Sequence, residues 1–413
     1  MNDLGRLLRN RDFAFYWVGV VVSQLGTRAT QAACLYHVYA LSGSISITGL
    51  VGLAQGLGVI VLSPLGGVWA DRLDRRRLLQ ASQAFSLLGA LALAVLTFAG
   101  EVRVWHILAS VLLITAAATF DKPARIALLP ALVSRDQLPE AVALVNPSRE
   151  LAVLVGPALG GVLIAVGGPG WVYLFDVATY AVLVVLLFFV RTAPLPGRPV
   201  EAPFFTELRE GARYVTSRPL LVQLIALDVA LSLFGAYRVV LPALATDVFH
   251  VGPTGYGILA AAPSAGALLA TWTVFRIVKR GRRQGMIAVA TTMSYGVVVV
   301  LFGQAPVIWL ALLLALALGW CDAVATTIRQ SAVQLDTPDH LRGRVSSLYQ
   351  VASNGGPSLG QVVLGALASA LGPAGGLAVG GLVTFAFSAS FLVRPNAVTS
   401  YDGARREAAR APG

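Results

Sequence analysis

Apolar runs of about twenty residues recur along the whole of this chain, separated by short loops that hold most of its charge. A helix needs about 20 predominantly apolar residues to cross a bilayer, and in lipid its backbone polar groups must be satisfied internally. That requirement leaves few folds. By it the sequence predicts twelve spans, near 14–40, 48–69, 78–99, 104–128, 142–166, 171–191, 219–246, 255–277, 286–303, 307–328, 345–371 and 374–393. Of the 413 residues, 56% are hydrophobic and 12% charged, against about 25% charged in soluble domains. Little is left for domains outside the membrane. The expected fold class is an all-α polytopic membrane protein, and the lipid bilayer is its first partner.

The loops set the expected orientation. Arginines cluster at 6–11, 72–77, 135, 191–218, 276–283, 342–344 and 394–410, whereas the opposite set of loops offers only Arg103. By the positive-inside rule both termini are expected to be cytoplasmic, as an even number of spans requires. The same rule accounts for the net charge of +11 without nucleic acid, which is not an expected partner. The sequence holds no Gly-rich phosphate loop, zinc-ligand spacing or hydrolase elbow. An enzyme and a nucleotide-driven pump are thereby disfavoured, and neither a metal nor a cofactor is expected. Cys34 and Cys321 both lie inside apolar segments and read as small buried hydrophobes. Arg6, Arg9 and Arg11 precede the first span with no signal-peptide pattern, so that stretch reads as an uncleaved cytoplasmic tail.

Four parts are expected: a six-helix bundle over 1–192, a linker over 193–218, a second bundle over 219–395 and a disordered cytoplasmic tail over 396–413. The linker begins Pro-rich and then places Phe205, Leu208, Ala212 and Val215 at helical spacing, which predicts an amphipathic helix at the cytoplasmic interface. An internal repeat supports the two bundles. Gly156-Pro157-Ala158-Leu159-Gly160-Gly161 recurs as Gly356-Pro357-Ser358-Leu359-Gly360-Gln361. Each copy is preceded by an intramembrane aspartate (Asp121, Asp322) and then an arginine (Arg125, Arg329).

The loop between the second and third spans carries Gly67, Asp71, Arg72, Arg75 and Arg76. This pattern, with the duplicated halves, resembles the signature of the major facilitator superfamily. Where that motif usually has a central glycine, this chain has Asp74. The variant, with Phe120-Asp121-Lys122-Pro123-Ala124-Arg125 and Arg238-Val239-Val240-Leu241-Pro242, resembles the subgroup of bacterial exporters typified by the enterobactin exporter. The resemblance covers nearly the whole chain. It implies twelve helices in two pseudo-symmetric bundles, a bacterial inner-membrane location, and a monomer that works by alternating access. It also implies that Asp71 faces the start of span eleven, with Arg344 as a further partner, to form a cytoplasmic gate. Gly156, Pro157, Gly160 and Gly161 resemble the family's antiporter motif, although the glycine usual one turn earlier is Ala152.

Ionisable groups inside spans are costly, and they mark function or a partner. Arg28, Asp121, Lys122, Arg125, Arg149, Glu150, Asp176, Asp228, Arg238 and Asp322 are such groups. Asp121 and Arg125 are spaced to pair on a helix. Topology accounts for Arg125 and Arg329 near the ends of their spans, and Asp176 reads as a satisfied interfacial residue. The family fold would put spans one, four, seven and ten around a central cavity. Asp322, Asp228 and Glu150, in that order, are then the candidate proton-coupling carboxylates. Arg28, Arg149, Arg238, Phe234, Tyr237, Trp320, Gln24, Gln350 and Asn354 are candidate substrate contacts. Arginines there suit an anionic or polyphenolic small molecule. The expected function is proton-driven export of a small amphipathic molecule, siderophore- or drug-like, with a proton gradient as energy source. Uptake of a nutrient and a non-transporting scaffold or sensor are the alternatives.

Overall fold

The structure, a computed structural model, describes residues 3–72, 74–191, 204–280, 283–338, 341–393 and 396–402, with the side chains of 3–4, 60–72, 204–208, 278–280, 347 and 354 excepted. Among these residues it is helical throughout. A short α1 (Asp3–Arg9) leads into α2 (Arg11–Ser42), α3 (Ile45–Arg72), α4 (Arg75–Phe98), α5 (Val104–Leu132), α6 (Leu138–Gly167) and α7 (Pro169–Phe189). Next come α8 (Phe204–Thr216) and α9 (Pro219–Phe234), then a 3₁₀ turn (Tyr237–Val240), α10 (Leu241–Ala243) and a π turn (Leu244–Val248). The chain ends with α11 (Gly252–Arg280), α12 (Gln284–Gly303), α13 (Ile308–Asp336) and α14 (Arg342–Val393). The last is two helices meeting at Gly372, whose φ of 77° no helix accommodates.

Nine helices among the described residues are long and apolar enough to cross a membrane. One of them is α14, so two of the expected spans share it. Ile45–Val59 qualifies only as a shorter apolar helix. α2 has 32 residues, but Gln24, Thr27, Arg28, Thr30, Gln31 and His37 dilute its apolar character below that of the others.

Local chemistry explains the start of α4. Asp74 is its N-cap, its carboxylate accepting from the amides of Arg76 at 2.9 Å and Arg77 at 3.0 Å. An acceptor there satisfies donors that the first turn cannot pair, which gives the aspartate a local role where the family motif has glycine. Arg76 reaches the other way and donates to Val190 O at 2.8 Å and Phe188 O at 3.2 Å, closing the C-terminal end of α7. Arg75 does the same for Ala127 O of α5 at 3.2 Å.

The chain divides into two compact units. One holds residues 1–43, 54–201 and 251–261, the other 44–53, 202–250 and 262–413. The sequence alone put 44–53 with the first bundle and 251–261 with the second. Glycine explains the exchange. In the first unit a Cβ on Gly161 would lie 2.8 Å from Gly257 Cα, so α6 and the start of α11 touch backbone to backbone. In the second, a Cβ on Gly49 would lie 2.6 Å from Gln361 O, so the start of α3 meets α14 just as closely.

The repeat also packs alike in the two units. Gly156 and Gly160 lie on Arg28 and Ala29 of α2, and Gly356 and Gly360 lie on Ser232 and its neighbours in α9. Small residues at such crossings let helices approach in lipid, where no hydrophobic force drives them together.

α8 is the expected amphipathic helix, but what it meets is protein. Gly211 lies on the backbone of Arg344, the Glu210 carboxylate pairs with the Arg344 guanidinium, and Tyr214 donates to Asp336 O at 3.1 Å. The expectation of a disordered tail over 396–413 fails for its first residues. Val398 and Tyr401 are buried with Leu220, Leu221 and Val289 in the core of the second unit. The amide of Val398 donates to Gln223 Oε1 at 3.0 Å. Two apolar side chains with a core to enter suffice to order that stretch. Residues 403–413 and the linker 193–203 lie outside the described residues.

Candidate transport site

The densest buried electrostatics belong to the second unit. α13 carries Asp322, Thr326 and Arg329 four and three residues apart, hence on one face. Arg329 is fully buried, and its Nη2 lies 2.7 Å from Asp228 Oδ1 of α9. Its guanidinium also donates to Thr326 Oγ1 at 3.0 Å and to Thr292 Oγ1 of α12 at 3.4 Å. Ser353 of α14 donates to the second oxygen of Asp228. Four helices therefore converge on one ion pair. A buried pair is stable only when its remaining donors and acceptors are satisfied, and three hydroxyls do much of that here.

The network has one open end. Thr326 Oγ1 donates to Asp322 Oδ1 at 3.1 Å, and Asp322 lies at the exposed surface of the second unit, in the middle of its helix. A carboxylate on the exposed side of the helix is thus linked through one hydroxyl to a buried cation. Arg329 was the residue the sequence undervalued. Its place near a span end suggested topology, whereas the fold makes it the largest fully buried side chain. Its repeat partner Arg125 pairs within its own helix, with Asp121 at 2.7 Å.

Beside this network the seventh span is broken, where a continuous helix over 219–246 was expected. α9 stops at Phe234, and Gly235 O accepts from the Tyr295 hydroxyl at 2.8 Å. A Cβ on Gly235 would collide with the Tyr295 ring and Leu231 O, so glycine permits the break. Arg238 leaves the following 3₁₀ turn exposed and within electrostatic reach of Asp322. Irregular backbone at membrane depth is tolerated where protein buries it or a water-filled cavity meets it.

The other expected contacts divide. Tyr237 is buried and packs edge-on against Phe302, ring centroids 5.9 Å apart, so it serves the core and offers no open ring face. Trp320 packs on a core cluster of Ala270, Ala288, Val324 and Ile328. Phe234 is half-buried and Gln350 exposed, while the side chain of Asn354 lies outside the described residues. Gln24 and Arg28 are half-buried on α2, and Arg28 donates to Gln31 Oε1 at 3.1 Å.

Arg149 and Glu150 are not buried charges. Each side chain is half exposed, and they pair with each other at 3.1 Å. Neighbours on a helix point about a quarter-turn apart, so both reach outward from the packed face of α6. Lys122 lies exposed within electrostatic reach of Arg149. The side chains of the loop-motif residues Asp71 and Arg72, with Gly67, lie outside the described residues. Arg344, expected to meet Asp71, is paired with Glu210. Among the described residues no three histidines, cysteines or acids are grouped to hold a metal.

Residues 6–409 match the family described as transmembrane secretion effector. The enterobactin exporter EntS of Salmonella typhi is 31% identical over 82% of this chain and 80% of its own length. Two solved structures share the fold. The nucleoside transporter NupG is 14% identical, covering 92% of this chain and 100% of its own, with a TM-score of 0.69. A bacterial homologue of the iron transporter ferroportin in an inward-facing state is 16% identical, covering 92% and 99%, with a TM-score of 0.69. The chain belongs to the transmembrane secretion effector family of the major facilitator superfamily, and it is a multi-pass membrane transporter of exporter type and not an enzyme.

Proposed function

We propose that this protein expels a small amphipathic molecule in exchange for inward-moving protons, by alternating access. The observation that carries the coupling is the chain from Asp322 through Thr326 to the Arg329–Asp228 pair. Asp322 takes up and releases the proton. While ionised it accepts from Thr326 and shares the field of Arg329 with Asp228. Once neutral it leaves Arg329 to Asp228 alone, so protonation changes how tightly α13 is held to α9. Asp228 keeps the buried cation neutralised. Glu150, already paired on an exposed face, ranks below both.

Arg28, half-buried, and Arg238, exposed, favour an anionic or phenolic solute, whereas Arg149, paired with Glu150 on an outward face, ranks below them. Relatives that bear the name enterobactin exporter make a catecholate siderophore the first solute to try. The positive-inside rule puts both termini on the cytoplasmic side of a bacterial inner membrane.

In proteoliposomes loaded with enterobactin, Asp322→Asn is expected to keep solute binding and to lose pH-gradient-driven efflux. Undiminished gradient drive in both Asp322→Asn and Asp228→Asn would end this assignment. Comparing extracellular metabolites of cells with and without the protein tests the solute class.

A further inference from the structure

We propose that Asp176 is a second proton-binding group of the transport cycle, set in a polar stripe inside the first unit. The proposal rests on the proton-coupled reading above. Sequence position suggested a satisfied interfacial residue, but Asp176 is 0% exposed. Its Oδ1 accepts from Thr179 Oγ1 at 3.3 Å, while Oδ2 has no hydrogen-bond partner. Among the described residues no ion pair includes it. Gly26 makes the room, since a Cβ there would lie 2.6 Å from Asp176 Oδ1. A buried carboxylate without a cation is costly, so the neutral acid is the form this site holds while dry. Admitting water releases the proton.

The surroundings are hydroxyls and a thiol. Thr30 faces the carboxyl from α2, and Thr179 and Tyr180 face it from α7, while Cys34 lies within its electrostatic reach and is hydrogen-bonded to Tyr173. His37 is joined to this group through the Tyr173 hydroxyl at 3.0 Å. α4 packs on α7 but carries no titratable side chain between Leu78 and Phe98.

Toward the other end the stripe continues along one face of α2. Tyr180 meets Thr27 Oγ1 at 3.0 Å. Ser23 donates to Gln83 Oε1 at 2.8 Å, and Gln83 donates to Asp121 Oδ1 at 2.8 Å. It ends on the Asp121–Arg125 pair. A proton leaving Asp176 passes to water admitted along this stripe and on to the side where Arg125 lies; no covalent bond besides the O–H is broken.

Packing alone does not call for an acid here. The matching helix of the second repeat, 373–393, has none. It fills buried polar positions with Thr384 and Ser388, each bonded to its own helix at 2.9 and 2.8 Å.

Infrared difference spectroscopy of the full-length protein, titrated with pH in lipid and without solute, tests the site directly. A protonated-carboxyl stretch that titrates in the wild type and is missing from Asp176→Asn is expected. A wild-type spectrum with no titrating buried carboxyl, or the same band in Asp176→Asn, would overturn the proposal. In enterobactin-loaded vesicles, Asp176→Asn is expected to retain solute exchange and lose gradient drive; unchanged drive also overturns it. Should Asp176→Asn not reach the membrane, Gly26→Ala crowds the carboxyl and is expected to shift the band's midpoint, and an unmoved midpoint counts against the site. Wild-type efflux indifferent to the gradient, beside a band that still titrates, would instead overturn the antiport reading and with it any role for Asp176 in the cycle.

Discussion

Arg329 shows how strongly one side chain can tie helices together in a membrane protein. Its guanidinium is fully buried, and Asp228, Thr292 and Thr326 come to it from three helices. Truncating one partner of a buried pair leaves the other charge uncompensated, at a cost of about 3–5 kcal/mol. Arg329→Met is therefore expected to lower the melting temperature in detergent sharply. Asp228→Leu added to it should recover much of the loss, and a double variant no more stable than the single one would show that the pair is not what the arginine contributes. Reading along the chain exposed the aspartates here but passed over the arginine. A charged residue near a span end looks the same whether it snorkels to the headgroups or turns inward, and only the helices that close around it separate the two.

The start of α4 shows how much of an element can be read from a few residues. The sequence marked Asp74 as a departure from a family glycine, and the fold makes it the N-cap. Replacing such a cap by alanine costs about 0.5–2 kcal/mol, whereas glycine costs only a few tenths. Asp74→Ala is expected to speed amide exchange in the first turn of α4, and Asp74→Gly to leave it near wild type. The break after α9 was less legible. Gly235 and Pro242 are both visible in the sequence, but glycine and proline also occur inside intact membrane helices. The Tyr295 hydroxyl on Gly235 O, sixty residues away in sequence, satisfies the opened backbone. Gly235→Leu is expected to drive a side chain into Tyr295 and Leu231 O, and to destabilise the second unit in thermal unfolding. Unfolding unchanged by that substitution would place the break elsewhere.

At the level of the whole molecule, the two repeats are built by the same contacts made twice. Gly156 lies on α2 as Gly356 lies on α9, and each unit borrows the first turns of one helix from the other half of the chain. The second unit also takes in residues after its last span, through Val398 and Tyr401. Ending the chain before Asn396 is thus expected to lower the melting temperature of the protein. Deleting only 403–413 is the control, and equal effects of the two truncations would assign the stability to the extreme tail.

Fold class, the number of repeats and the kinship with exporters were all open to a reader of residues alone. Lipid demands long apolar runs, loops sort by charge, and the Gly-Pro motif recurs half a chain apart, all of which are linear patterns. Which charges are paired was not open in that way. Asp322, Arg329 and Asp228 belong together, Arg149 and Glu150 do not belong inside, and Asp176 is sealed from solvent. Those facts depend on which faces of separate helices meet. A helical period tells which residues share a face but not what that face is pressed against.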